Sequence, residues 1–141
     1  MNKRKNLLRV NMVLVFGIMA INFFSCRDSS EKIPESIKKT ETSLLIGDWV
    51  RTDGDYVIKI IKINEDRTLD AKYFNPNPIN VGKAQWQESY GNLKIVFELR
   101  DVNYPGSTYT LDYLPDRDIF AGEYYQAVEG LTFYVEFNRV N

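Results

Sequence analysis

The sequence predicts an all-β fold: an eight-stranded antiparallel up-and-down meander closed as a small barrel, preceded by a signal peptide and a flexible tether. Two observations lead to this prediction. From residue 44 onward, apolar residues alternate over short segments and never keep the 3.6-residue period of a long helix. The same stretch holds 16 of the chain's 19 aromatic residues, and aromatic side chains fit the pleated surface of a sheet.

Turn-forming residues separate the predicted strands, and the Asp53-Gly54 pair is a strong signal for a two-residue hairpin. The alternation is clearest in residues 92–100 and 131–140, where the residues of one face are apolar. Closing such a meander would remove both exposed sheet edges, which are otherwise prone to association. The predicted strands are 47–52, 55–63, 68–74, 80–88, 92–100, 107–114, 118–127 and 131–140.

The first 25 residues are predicted to be a signal peptide and not part of the fold. Basic residues cluster between positions 3 and 9, and an apolar run over residues 12–21 follows them. This run is shorter than the roughly 20 residues that a membrane-spanning helix needs. The polar, charged segment after it predicts a flexible tether, so the chain divides into a signal peptide (1–25), a cysteine and tether (26–43) and a β-barrel domain (44–141).

The apolar run ends in Phe23, Phe24, Ser25 and Cys26, and a small residue before a cysteine at this place resembles the lipobox of bacterial lipoproteins. The resemblance implies that the peptide is cut before Cys26, that the thiol forms a thioether to diacylglycerol and that the new amine is acylated. Lipid on Cys26 would anchor the protein to a membrane of the cell envelope, expected to be the outer membrane, on its periplasmic or surface face. The alternative is an ordinary secretory signal followed by a free cysteine.

The charge balance argues against binding to nucleic acid. The chain has 18 basic and 19 acidic side chains. The first 25 residues hold four of the basic ones and none of the acidic ones, which leaves 14 basic and 19 acidic side chains and a formal charge of −5. A negative domain is repelled by phosphate backbones, so no nucleic-acid partner is expected.

The start of the domain, Gly47-Asp48-Trp49, resembles the G-x-W sequence that opens the first strand of calycin barrels, the lipocalin and avidin group. In that group the tryptophan plugs one end of the barrel and an arginine of the last strand lies across it. Arg139 has the matching position here, and a closed meander places the end of the last strand beside the start of the first. Trp49 and Arg139 are therefore expected to meet in a structural plug. The biotin-contacting pattern of avidins is not recognisable.

Three further segments, YFNPNPINV, ELRDVNYPGSTYTL and GEYYQAV, are similar to a family of uncharacterised exported bacterial proteins. This likeness supports the grouping of the fold and implies no activity.

The meander also predicts which end of the barrel binds a ligand. Its two longest, proline-containing loops, 75–80 and 101–107, fall on the same rim, opposite the plug. Small barrels are either filled by side chains or hold one small ligand at the mouth. The alternative for each rim residue is a purely structural turn role, since Asn and Pro are common in tight connections. The predicted ligand-binding residues are Asn75, Asn77, Asn80, Asn103, Tyr104, Tyr73, Tyr124 and Gln126.

The residue types disfavour catalysis. The chain has no histidine, which excludes Ser-His triads and histidine-containing zinc sites. Glu98 and Glu123 are the best pair for carboxylate chemistry, but Glu98 falls on the outward face, where a salt bridge is expected. Asp112, Asp116 and Asp118 lack the pattern of a calcium loop. No catalytic residue, metal or cofactor is therefore predicted.

These observations predict a membrane-anchored exported lipoprotein that binds a small or extended ligand at the barrel mouth without catalysis. The alternative is a filled barrel that acts as a protein-interaction or inhibitor module in the cell envelope, with a protein partner that the sequence does not specify. An exposed aromatic cluster, including Trp86 and Tyr90, would mark that alternative.

Overall fold

The structure, a computed structural model, describes residues 41–140. The predicted signal peptide, Cys26 and the tether up to residue 40 lie outside the described residues. Residues 41–43 form a helical turn, and no helix within 41–140 is long and apolar enough to cross a membrane. The strands are β1 (Gly47–Arg51), β2 (Val57–Ile63), β3 (Leu69–Asn75), β4 (Asn77–Ile79), β5 (Val81–Ser89), β6 (Asn92–Asp101), β7 (Tyr104–Leu114), β8 (Ile119–Gln126) and β9 (Leu131–Arg139).

The strands form one antiparallel sheet in the order β4-β3-β2-β1-β9-β8-β7-β6-β5. The all-β, up-and-down prediction is confirmed, but the described part of the chain has nine strands and not eight. The additional strand, β4, lies in the predicted loop after β3. The chain reverses at Pro76, so that Asn77 returns beside Asn75 and Ile79 pairs with Tyr73. β4 is short and lies at an edge, as expected where Pro78 has no N–H to donate.

The last strand pairs with the first, as predicted. The barrel is nevertheless only nearly closed, because the predicted strands 68–74 and 80–88 do not pair with each other as expected. β3 and β5 meet at a single bridge, Thr68 to Gln85, supported by a 2.9 Å hydrogen bond from the Trp86 N–H to the Arg67 carbonyl. Further along, β4 occupies the edge of β3 at residues 73–75. β5 therefore has no free β3 edge to pair with there, and the two strands remain separate.

The core consists of the side chains that point into the barrel from alternate positions of the strands. In β6 and β7 every second residue is buried, as the alternation predicted for β6. Each fully buried Leu, Ile or Phe side chain contributes about 1.5–3 kcal/mol through removal of apolar surface from water. The largest fully buried side chains are Trp49, Tyr73, Tyr109, Phe97, Phe120 and Phe137.

Trp49 and Arg139 meet at one end of the barrel, as predicted. They are direct register partners on β1 and β9, and the Arg139 guanidinium lies 4.1 Å from the centroid of the Trp49 ring. The buried Trp49 Nε1 donates a 3.1 Å hydrogen bond to the Leu45 carbonyl, and its ring packs 4.2 Å from Phe120. Contacts with Arg139, Leu45 and Phe120 therefore hold the Trp49 side chain, which is fully buried.

The residues before β1 pack at the same end of the barrel. Arg139 donates hydrogen bonds of 2.6 Å and 2.8 Å to the carbonyls of Leu44 and Ile46. Thr42 and Leu45 are buried. The packed domain thus includes the helical turn at 41–43, slightly before the predicted boundary at residue 44.

Candidate ligand-binding mouth of the barrel

The end of the barrel opposite Trp49 is organised by contacts between its two proline-containing loops. The Asn75 side-chain amide donates to the Tyr104 hydroxyl. The Asp101 carboxylate accepts hydrogen bonds from the backbone N–H of Val102 at 2.8 Å and of Asn80 at 3.2 Å. These backbone donors lower the pKa of Asp101, which stays ionised and holds the loops together.

Tyrosine rings fill the barrel beneath this mouth. The hydroxyls of Tyr73 and Tyr109 lie 2.9 Å apart, and the Tyr109 ring stacks on Tyr124 with centroids 4.4 Å apart. Burial raises the pKa of Tyr109 to about 12 and also raises that of Tyr73. Both phenols are therefore neutral at physiological pH, and within the pair one hydroxyl donates to the other. The ring of Tyr104 extends the group toward the rim, 6.4 Å from Tyr73.

Arg51 places a positive charge at the mouth. It lies two residues after Trp49 on β1, and so points inward at the opposite end. Its Nη1 donates to the Tyr109 hydroxyl at 3.2 Å, and its Nη2 donates to Asp53 at 2.8 Å. The guanidinium also lies 4.1 Å from the Tyr56 ring centroid. Burial by itself would lower the pKa of Arg51, but the bonds to Asp53 and Tyr109 outweigh it, so the pKa is raised and the charge persists.

The lip of the mouth is apolar and uncovered. On β9, every second residue from Leu131 to Phe137 lies on the strand face that points into the barrel. Two residues of this face, Val135 and Phe137, are only 3% and 0% exposed. Leu131 and Phe133 are nevertheless 49% and 43% exposed. Phe133 lies nearly parallel to Tyr124, with ring centroids 6.5 Å apart. We refer to these stacked rings and the exposed apolar lip together as the cup.

The structure brings half of the predicted site residues into one network. Tyr73, Tyr104, Tyr124 and Asn75 are joined by the ring and hydrogen-bond contacts described above. Asn80 takes part through its backbone, and Gln126 is half-buried opposite Leu131. The side chains of Asn77 and Asn103 are exposed on the rim.

Sequence reasoning missed four residues of the cup, namely Arg51, Tyr109, Leu131 and Phe133. Arg51 could have been found from the sequence, because it lies two residues after Trp49 and so on the same face of β1. A positive charge that points into the barrel needs polar partners there. Tyr109 could have been found in the same way, because it alternates with the buried residues Leu111 and Tyr113.

Three of the five acidic side chains considered for chemistry form salt bridges. Glu98 forms a salt bridge with Arg100, as its outward phase predicted. Asp112 contacts Lys94 at 3.3 Å, and Asp118 contacts Arg139 at 2.6 Å. Within residues 41–140, no three side chains that commonly bind metals are grouped so that they could hold an ion.

Trp86 and Tyr90 do not form the exposed aromatic cluster that was considered for an interaction module. Trp86 is only 9% exposed and donates to the Asn64 carbonyl at 3.4 Å. Tyr90 is fully exposed in the turn between β5 and β6. Trp86 is buried because it lies on the face of β5 that points into the barrel, opposite the buried Ile95 of β6.

Comparisons with known proteins do not assign the chain to a family. No family model matches the sequence, no curated protein is significantly similar to it and no solved structure matches it.

Proposed function

We propose that this chain is an exported lipoprotein of the bacterial cell envelope, anchored through lipid on Cys26, whose barrel binds a small or extended ligand at its mouth without catalysis. One observation carries the binding role: Leu131 and Phe133 point inward at the mouth but remain about half exposed. Apolar side chains on an inward phase are normally covered, so an uncovered pair next to polar groups favours a ligand site.

The lining residues indicate which ligand group would fit. Phe133 and Tyr124 offer ring faces, and stacking on such faces favours a flat, apolar or aromatic group. Tyr104 and Asn75 add hydrogen-bonding groups at the edge. Because tyrosine rings fill the barrel below, the ligand would occupy the cup itself and not a deep cavity. A flat group of a small molecule, or one unit of an extended ligand, could both stack on the rings and fit a shallow site.

The membrane anchor rests on the sequence of the first 26 residues. The lipobox resemblance, the basic start and the short apolar run support it together. The likeness to calycin barrels, carried by Gly47, Trp49 and Arg139, supports a binding role in the same way and implies no activity.

Native mass spectrometry tests the binding role. The full chain would be released from its own envelope in mild detergent and compared before and after denaturation. We expect a small molecule that is lost on denaturation, and that is reduced in Phe133→Ala. Tyr134→Ala is the matched control, because Tyr134 is the next residue on β9 and faces outward. A bare protein that also fails to take up any compound from a panel of aromatic ligands would overturn the proposal.

The filled interior favours a second candidate function, a protein-interaction or inhibitor module. The same spectra distinguish it, because a co-purified protein adds a far larger mass than a small ligand. In that case Phe133→Ala and Tyr134→Ala would leave the small-molecule region of the spectrum unchanged.

A further inference from the structure

The end of the barrel that holds the Trp49 plug carries a group of exposed aliphatic side chains. Leu44 and Ile46 are 45% and 42% exposed, and Leu114 and Val140 are 36% and 51% exposed. We refer to these four residues as the apolar foot. Single exposed apolar residues are common on folded proteins, but a group of them at one place marks a surface that meets a partner or a membrane.

Hydrogen bonds hold most of the foot in a fixed position. The Arg139 guanidinium donates to the carbonyls of Leu44 and Ile46 at 2.6 Å and 2.8 Å. The next residue, Val140, donates its N–H to the Asp48 carbonyl at 2.8 Å. These three aliphatic residues therefore belong to the packed domain, and their exposure is not that of a loose chain end.

Leu114 joins the foot from the end of β7. It pairs with Ile119 on β8, and Ile119 pairs in turn with Asn138, the residue before Arg139 on β9. In the turn between Leu114 and Ile119, Asp118 forms a salt bridge with Arg139. All four aliphatic residues therefore lie around one arginine.

The described chain begins at this end of the barrel, at Glu41, and Cys26 precedes it in the sequence. The segment between them, residues 27–40, could span about 50 Å at most. A strand as long as β9 spans about 30 Å. The foot is thus the end of the barrel nearest to the anchor along the chain, but the length of this segment would also allow the mouth to reach a membrane.

Charge distinguishes the two ends. Residues 52–56, 75–80, 101–104 and 127–130 form the mouth end, and they contain four acidic residues and no lysine or arginine. At the foot, Arg67, Arg117 and Arg139 accompany the acidic residues, and the sequence places Lys38 and Lys39 just before Glu41. An anionic bilayer surface therefore repels the mouth more strongly than the foot.

The mouth end also has exposed valines, but carboxylates adjoin them. Val102 follows Asp101, and Val128 precedes Glu129. Burying either valine in a bilayer would bring the neighbouring carboxylate to the membrane surface, which opposes insertion. The foot is therefore the end whose apolar side chains suit a bilayer.

We propose that the apolar foot lies against the lipid bilayer that holds the lipid on Cys26, so that the barrel stands on the membrane with its mouth facing away. The inference rests on the proposed lipid anchor. Aliphatic side chains bury in the boundary between headgroups and acyl chains. Four half-exposed residues bind a bilayer weakly by themselves, but the anchor makes this contact intramolecular and raises its effective concentration. The mouth then takes its ligand from the aqueous phase and not from the bilayer.

The test uses the full chain with its lipid attached, reconstituted into vesicles of phosphatidylethanolamine and phosphatidylglycerol. Cys26 is the only cysteine of the sequence, so an introduced cysteine is the only free thiol of the lipid-modified protein. Val140→Cys and Val128→Cys each carry an environment-sensitive fluorophore, and Val128 is the matched control because it is an exposed valine at the opposite end. We expect doxyl-labelled lipids to quench the label at position 140 at least about threefold more than the label at position 128.

Two further variants test the foot itself in the Val140→Cys protein. Ile46→Ser/Leu114→Ser removes apolar area without changing the charge and should lower the quenching about twofold. Val102→Ser is the control at the mouth and should leave the quenching unchanged. Near-ultraviolet circular dichroism checks that each variant is folded.

The mass of the purified chain separates failure of the anchor from failure of this inference. A mass without acyl groups would show that the anchor and this inference are both wrong. If the acyl groups are present but positions 140 and 128 are quenched equally, or neither is quenched, the anchor stands and this inference alone is wrong. Quenching at position 140 that does not change in folded Ile46→Ser/Leu114→Ser would also overturn it.

Discussion

Arg139 lies over the Trp49 ring while it forms a salt bridge with Asp118. Its guanidinium lies 4.1 Å from the centroid of the Trp49 ring and at the same time forms a two-pronged salt bridge with Asp118, at 2.6 Å and 2.9 Å. Asp118 also accepts a 2.9 Å hydrogen bond from the Tyr113 hydroxyl. The plug therefore joins the last strand, the turn before β8 and the start of the domain.

Arg139→Ala should lower the free energy of unfolding by about 1–3 kcal/mol, because it removes the donor of the Leu44 and Ile46 carbonyls and the salt bridge of Asp118. Arg139→Lys should recover only part of this loss, since an ammonium group cannot bind two partners in a planar fork. Urea unfolding followed by tryptophan fluorescence measures both. Arg117→Ala is the control: its exposed bond to Glu136 should contribute less than about 1 kcal/mol. Equal losses in Arg139→Ala and Arg117→Ala would contradict the role assigned to the plug.

Gly47→Ala should also destabilise the domain. Gly47 has a φ of 148°, and an added Cβ would lie 2.6 Å from Arg139 Nη1. The expected cost is about 1–3 kcal/mol from backbone strain and displacement of the arginine. In the Arg139→Ala background the cost should be smaller, because the clashing side chain is gone. An identical cost in both backgrounds, measured by thermal unfolding, would show that the clash with Arg139 plays no part.

Tyr109→Phe should cost about 1–3 kcal/mol, because it removes the hydroxyl that contacts both Tyr73 and Arg51 and leaves a buried phenol without its partner. Tyr125→Phe is the matched control on the outer face of β8, where the side chain is exposed, and should have little effect. Chemical unfolding of the two variants provides the comparison. A Tyr109→Phe protein as stable as Tyr125→Phe would mean that the hydroxyl network does not stabilise the fold.

Stability should fall at acid pH through the ion pairs of both barrel ends. The hydrogen bonds from Arg139 and Arg51 lower the pKa of Asp118 and of Asp53 below their usual values. A carboxyl with a lowered folded-state pKa stabilises the fold above its unfolded pKa of about 4, and this stabilisation is lost as the pH falls through the folded value. Asp118→Asn should therefore flatten the stability profile below about pH 4. Urea unfolding at a series of pH values measures this dependence, and Asp116→Asn serves as the control. If Asp118→Asn leaves the slope of stability against pH unchanged, this linkage is wrong.

The β-class of the domain and the order of most strands were predictable because they depend on local alternation. β6 buries its predicted inward residues, and β9 buries Val135 and Phe137, so these faces were assigned correctly, whereas Leu131 and Phe133 at the start of β9 remain exposed. The Trp49–Arg139 contact was also predictable, because an up-and-down meander places the last strand beside the first.

The strand pattern apart from β4, the plug and the rim with its proline-containing loops could thus be inferred from the sequence. The position of β4 on the edge of β3, the separation of β5 beyond Thr68 and the exposure of Phe133 became known from the folded structure. These three features depend on register shifts in β2 and β5 and on the lengths of strands that lie far apart in the chain. Alternation reports which face a side chain occupies, but not whether a neighbouring strand reaches far enough to cover it.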